Sequence, residues 1–213
     1  MGKELILFRI RKFFVRRAIA TITWLIEKYF RIHTCIVDKE TTPPSSFYSD
    51  SVSYEPIDYW LIYRFAKKLH PDNHDVFCDI GCGMGRTLCV FARMKLRKCI
   101  GIEISPTLAD VARKNIHNLR GRYTPVELVV GDAALFDYSG GNLYWLFNPF
   151  GSKTMTEVID KIEHSLILTP RKIKIAYINP VHENVLSGRK LLRFDGRDSA
   201  WYSKTTVSYW RNA

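Results

Sequence analysis

Residues 78–86 read Cys-Asp-Ile-Gly-Cys-Gly-Met-Gly-Arg, directly after the apolar residues Val76 and Phe77. Three glycines at every second position, where an apolar run gives way to a helical pattern, mark a strand-to-helix turn whose backbone can approach a ligand closely. A dinucleotide turn has the spacing G-x-G-x-x-G, which would put the third glycine at 86. Position 86 is Arg, and the third glycine is Gly85, one residue early. An acid, Asp79, stands two residues before the first glycine. A pyrophosphate tolerates that neighbour poorly, whereas a ligand carrying a cation suits it. The turn therefore argues against a nucleotide-dependent oxidoreductase.

Outward from this turn the chain alternates between two periodicities. Strands are predicted at DVFCDI, KCIGIE (98–103), PVELVV (125–130), NLYWLFN (142–148) and KIKIAYIN (172–179). Helices are predicted from Pro56 to Leu69, over 84–96, over 105–119 with Ser105 as N-cap, and over 154–166. KLLRFDG and KTTVSYW end the chain as two β-like runs with no helical pattern between them. Strands alternating with helices predict an α/β class with a doubly wound, mostly parallel seven-stranded sheet and helices on both faces. Ligands bind such sheets at the carboxyl ends of the central strands.

Residues 1–37 stand apart. The first 33 carry eight Lys/Arg and two Glu, a net +6 out of +11 for the whole chain of 213 residues. Leu7, Ile10, Phe14, Ala18, Ile22, Leu25, Tyr29 and Ile32 recur at helical spacing, so the segment reads as a basic amphipathic helix. Its longest uncharged run, Ala18 to Ile26, is far short of the roughly 20 residues that span a bilayer. Two readings stay open: a helix lying on an anionic membrane surface through residues 1–33, or one packing its stripe on the domain behind it. An RNA-binding arm is a third. Residues 38–53, rich in Pro, Ser and Thr, read as a linker, and the domain proper runs over 54–213.

The five cysteines have neither CxxC spacing nor a His pair nearby, which argues against zinc and against a disulfide framework. They fit a reducing compartment, so the expected location is cytoplasmic, peripheral at the inner face of a membrane if the helix binds lipid. No metal is expected.

The turn, taken with three later strand ends, resembles the class I S-adenosylmethionine-dependent methyltransferases. Asp79-Ile80-Gly81-Cys82-Gly83-Met84-Gly85 is similar to the first motif of that family. The resemblance implies that Asp79, Gly81, Cys82, Gly83 and Gly85 cradle S-adenosylmethionine. It also implies that Glu103, with Ile104 beside it, holds the ribose hydroxyls. Asp132 and the Ala133 amide would meet the adenine, and Asn148-Pro149-Phe150 takes the place of the catalytic motif, with Asn148 also touching the cofactor. Amino-group methyltransferases carry a similar loop with two prolines where this chain has one.

Across the cleft, Tyr54, Phe150 and Asn179 are expected to contact the acceptor, with Glu55 next to Tyr54. His182, followed by Glu183, is the candidate general base. The expected activity is methyl transfer to an N or O atom of a protein or membrane-linked acceptor. Methylation of an RNA or DNA base, or a non-catalytic S-adenosylmethionine-binding module, are the alternatives.

Overall fold

In the computed structural model, which describes residues 2–35, 50, 52 and 54–212, the alternating pattern folds into one sheet of seven strands. Strands β1 (Val76–Ile80), β2 (Lys98–Glu103), β3 (Val126–Val130), β4 (Leu143–Phe147) and β5 (Lys174–Ile178) are parallel. The last two, β6 (Leu192–Ser199) and β7 (Thr206–Asn212), form an antiparallel hairpin, and β7 inserts beside β5. The order is β3-β2-β1-β4-β5-β7-β6. The chain thus leaves β1 in one direction and returns through β4 on its other side, so the crevice opens where β1 and β4 part.

Both sheet faces are covered, and successive residues of a strand serve opposite cores. Leu143, Trp145 and Phe147 of β4 join one core with Phe77, Cys99, Ala176 and Val207. Tyr144 and Leu146 join the other, with Cys78, Ile102 and Tyr177. The first core is closed by α2 (Tyr59–Leu69), α3 (Arg86–Ala92) and α4 (Pro106–Asn118), and the second by α5 (Ser152–Leu168) and the short α6 (Asn184–Ser187). Ser105 caps α4 by accepting the Leu108 amide at 3.3 Å, as its position predicts.

Two predicted helices are shorter than expected. Pro56 to Asp58 stay outside α2, and the Ile57 carbonyl accepts a hydrogen bond from Arg86 instead. The helix expected over 84–96 is cut to seven residues, because the Arg93 and Met94 amides bond three residues back and the Leu96 amide turns to the Thr124 hydroxyl.

The helix α1 (Gly2–Phe30) packs on the first core, though not by its expected stripe. Val15, Ile19, Ile26 and Phe30 face inward together with the buried polar residues Thr23 and Glu27, and Ile32 is fully buried beyond the helix end. Phe14, Ile22, Leu25 and Tyr29 point out and are 52–64 % exposed. Of residues 38–53, Asp50 and Val52 alone lie among the described residues, so the linker expectation falls largely outside them.

Phe91 of α3 stacks on Phe77 with ring centroids 3.6 Å apart and meets Trp145 edge-on, all three fully buried. Replacing Phe91 by Ala should lower unfolding stability by about 3–5 kcal/mol, read as a lower urea midpoint with an unchanged slope.

Candidate active site

β1 is apolar except for Asp79, which sits in mid-sheet between Gly101 of β2 and Trp145 of β4 and is 4 % exposed. Burial, aided by the nearby Glu103 carboxylate, pushes the Asp79 carboxyl up to about 8, against the pull of a hydrogen bond from the Leu88 amide. Glu103 ends β2 and is itself raised by burial, while hydrogen bonds from the Ser105, Gly83 and Ile104 amides hold it down. Its two oxygens accept from Gly83 N at 2.8 Å and Ser105 N at 2.9 Å. One carboxylate thereby ties the glycine turn to the start of α4.

The turn leaves room for nothing larger than glycine at two points. Gly81 has φ +74° and a Cβ there would lie 2.4 Å from Pro149 Cβ. Gly83 has φ +54° and a Cβ would come within 2.3 Å of the Tyr54 ring. The turn is thus pressed between the loop after β4 and the segment before α2.

A cavity of about 320 Å³ opens at this place, within the roughly 300–1,000 Å³ of small-molecule sites. Its lining includes Asp79, Gly81, Cys82 and Gly83 from the turn, Glu103 and Ile104 after β2, and Asp132 and Ala133 after β3. Asp132 caps the 3-10 turn Ala133–Leu135 by accepting the Ala134 amide at 2.9 Å. Phe147, Asn148, Pro149 and Phe150 line it as well, and Tyr54, Glu55 and Ile57 complete the lining.

Residues 77–162 match the family model described as a methyltransferase domain. An RNA methyltransferase from Salinibacter ruber, solved with S-adenosyl-L-homocysteine, superposes with a TM-score of 0.57 at 25% identity over 74% of this chain and 94% of that one. The matched family model and the similar folds are those of class I S-adenosylmethionine-dependent methyltransferases. An O-methyltransferase from Thermotoga maritima shares the fold at 16% identity and a TM-score of 0.59, over 75% of this chain and 67% of that one. An uncharacterised protein of Methanocaldococcus jannaschii is 32% identical over 95 residues, or 45% of this chain. The chain spans about a third of the length of that curated relative, 34%.

The residues fit S-adenosylmethionine in kind: a buried acid for a cationic ligand, a second acid at the end of β2, and a third beside a short turn. Three of the residues singled out from the sequence do not line the cavity. Gly85 shapes the turn at φ +80° with Ala112 packed against it. Asn179, at φ +47°, accepts the Thr206 amide and so braces the β5–β7 junction. His182 lies beyond it, its own amide donating to the Tyr177 hydroxyl, while Glu183 pairs with Arg197.

Sequence reasoning passed over four residues of the site. Asp50 caps α5 from a distance of 104 residues, accepting the Thr154 amide at 3.0 Å, and the Val52 amide donates to the Pro149 carbonyl. Both Asp50 and Thr154 line the cavity. Tyr177, fully buried, has its hydroxyl 3.5 Å from the Asn148 side-chain oxygen, and Asn148 is held at φ +39°. Arg86 is the fourth. None of these contacts has a local signature, because each joins segments far apart in the chain.

Asp79 should tie cofactor affinity to pH. Its pKa is about 8 in the folded protein against an ordinary 3.8, so the native state holds a proton that the unfolded chain has lost. Its contribution to stability is full at acid pH and falls as pH rises from about 4 to 8. A cationic ligand favours the carboxylate, so S-adenosylmethionine affinity should climb up to about tenfold per unit toward pH 8, with one proton released. Calorimetry in buffers of different ionisation enthalpy reads that proton, and Asp79→Asn should abolish both the release and the slope.

Proposed function

We propose that the protein transfers the methyl group of S-adenosylmethionine to an amine nitrogen of a protein or membrane-linked acceptor. The observation that carries this reading is the sign of the cavity. Among the described residues its ionisable lining is Asp50, Glu55, Asp79, Glu103 and Asp132 against Arg86 alone, although the chain as a whole carries +11. The Arg86 guanidinium is moreover engaged by Glu27. A phosphodiester entering beside a bound cofactor meets Asp50 and Glu55, whereas an amine on an aliphatic stem is drawn in.

Bound S-adenosylmethionine supplies an electrophilic methyl group on a sulfonium. The chain's own work is alignment and exclusion of water. Phe147, Pro149 and Phe150 give the acceptor's carbon atoms an apolar wall, and the Asn148 carboxamide oxygen would accept the hydrogens of the amine. Glu55 at the rim would attract the acceptor's charge.

The outward face of α1 supports the membrane-linked part of the reading. Phe13, Phe14, Trp24 and Leu25 are more than half exposed, with the Arg17 guanidinium over Phe13 at 5.7 Å and the Lys28 ammonium over Trp24 at 5.0 Å. Aromatic rings interleaved with cations suit the boundary of an anionic bilayer. Among the described residues no helix is long and apolar enough to cross a membrane. A nucleic-acid acceptor is the second reading, favoured by the +11 charge and by the 25% identity to an RNA methyltransferase.

Radiolabelled S-adenosylmethionine incubated with fractionated lysate separates these acceptors. Label is expected in the protein or lipid-linked fraction and to resist alkali as an N-methyl group does, while label confined to RNA would overturn the proposal. Glu55→Gln should raise KM for the acceptor about three- to fivefold, as for a partly exposed charge pair, and leave KM for S-adenosylmethionine unchanged. In a flotation assay the full-length protein should rise with vesicles containing anionic lipid. A Phe14→Ser, Trp24→Ser, Leu25→Ser variant should stay behind, and equal flotation of the two would remove the membrane from the reading.

A further inference from the structure

Arg86 follows the last glycine of the turn and opens α3, yet it is 4 % exposed and lines the cofactor cavity. All three guanidinium nitrogens are used. Nε donates to Thr34 Oγ1 at 2.6 Å, Nη1 to the Ile57 carbonyl at 2.9 Å, and Nη2 to Glu27 Oε1 at 3.0 Å and Cys35 Sγ at 2.8 Å. Its plane carbon lies 4.7 Å from the centre of the Tyr59 ring. Glu27 gathers the same segments from the other side. Its Oε1 accepts from the Thr34 amide at 3.1 Å, from the Thr34 hydroxyl, and from the Tyr59 hydroxyl at 3.3 Å.

These contacts end on the cofactor turn. Thr34, held by both members of the ion pair, accepts the Tyr54 hydroxyl on its carbonyl at 3.0 Å, and the Tyr54 ring lies against Gly83. Ile57, held by Arg86 directly, lines the cavity beside Tyr54. Among the described residues this part of the cavity lining, 54–57, has no strand pairing of its own, and Arg86 ties it to the turn through Ile57 and Thr34.

We infer that Arg86 is a positioning residue for S-adenosylmethionine: through Thr34 and Ile57 it sets Tyr54 and Ile57 against the glycine turn, which makes the end of α1 and residues 32–35 part of the cofactor site. The inference rests on the cofactor reading above. Lysine keeps the charge but has no planar fork, and it can serve one of the three directions, not all. The wall would then be free to move away from the turn without leaving a buried Glu27 wholly unpaired.

The test uses the full chain. Arg86→Lys should weaken S-adenosylmethionine binding in calorimetry about tenfold, the loss of one or two charge-assisted hydrogen bonds. Phe91→Ala, a core change away from the cavity, should lose comparable stability and still bind within about twofold of the parent when measured well below both melting transitions. Hydrogen exchange supplies the second readout. In the parent, the amides of residues 54 to 59 should gain protection on adding S-adenosylmethionine, and in Arg86→Lys they should not. Parent-like affinity and protection in Arg86→Lys would overturn the inference, as would equal losses of affinity in the two variants. If the parent itself bound no S-adenosylmethionine, the cofactor reading would fall instead, which keeps the two failures distinct.

Discussion

The Glu103 carboxylate is the interaction on which the site depends. It stands at the end of β2 and accepts one amide from the glycine turn after β1 and one from the cap of α4. Neither bond can form unless β1 and β2 are in register, and the sheet fixes that register through five residue pairs from Val76 and Lys98 onward. The turn is thus shaped by a side chain on the neighbouring strand rather than by its own sequence. Glycine makes the shape available, and Glu103 selects it.

That selection has an energetic consequence. Asp79 and Glu103 are both buried beside one another, and burial raises both carboxyls. A fold optimised for stability alone would place apolar side chains here, since a desolvated acid is costly without a partner. The ligand-free protein therefore carries a deficit at its centre that a cationic ligand offsets. The same logic runs the other way at Arg86, whose charge is matched inside the protein by Glu27 and so is withheld from any ligand. Acids lining the cleft and one cation kept for the fold together give the cleft its sign.

Most of the architecture was legible in the sequence because buried parallel strands are apolar on both faces and stand out as short runs bounded by turn residues. The acids at 79, 103 and 132 were legible for the opposite reason: each interrupts or ends such a run. The orientation of α1 was not legible. Its apolar periodicity marks the stripe through Phe14, Ile22 and Leu25, and that stripe is on the outside. The inward face is set by Glu27, whose partner lies 59 residues further on. Asp50 escaped notice for the same reason, and so did Arg86, which from sequence is only the residue that spoils a dinucleotide spacing. His182 and Asn179 were drawn in by lying after a strand end; neither lines the cavity, Asn179 bracing β7 and the His182 amide donating to the Tyr177 hydroxyl near Asn148.

The magnitudes explain how one ion pair can rotate a helix. Fully burying a large apolar side chain is worth about 1.5–3 kcal/mol. A different rotation would cover part of the Phe14, Ile22 and Leu25 stripe, at the expense of Val15, Ile19, Ile26 and Phe30, which now pack on the core. Those exchanges nearly cancel. Removing one partner from a buried pair costs about 3–5 kcal/mol and does not cancel against anything. The pair therefore decides which face of α1 is inward, and with it which face is left for a surface outside the chain. Cofactor site and outward stripe are tied to the same contact, so a helix that sequence periodicity marks as an appendage is, in energetic terms, packed into the first core.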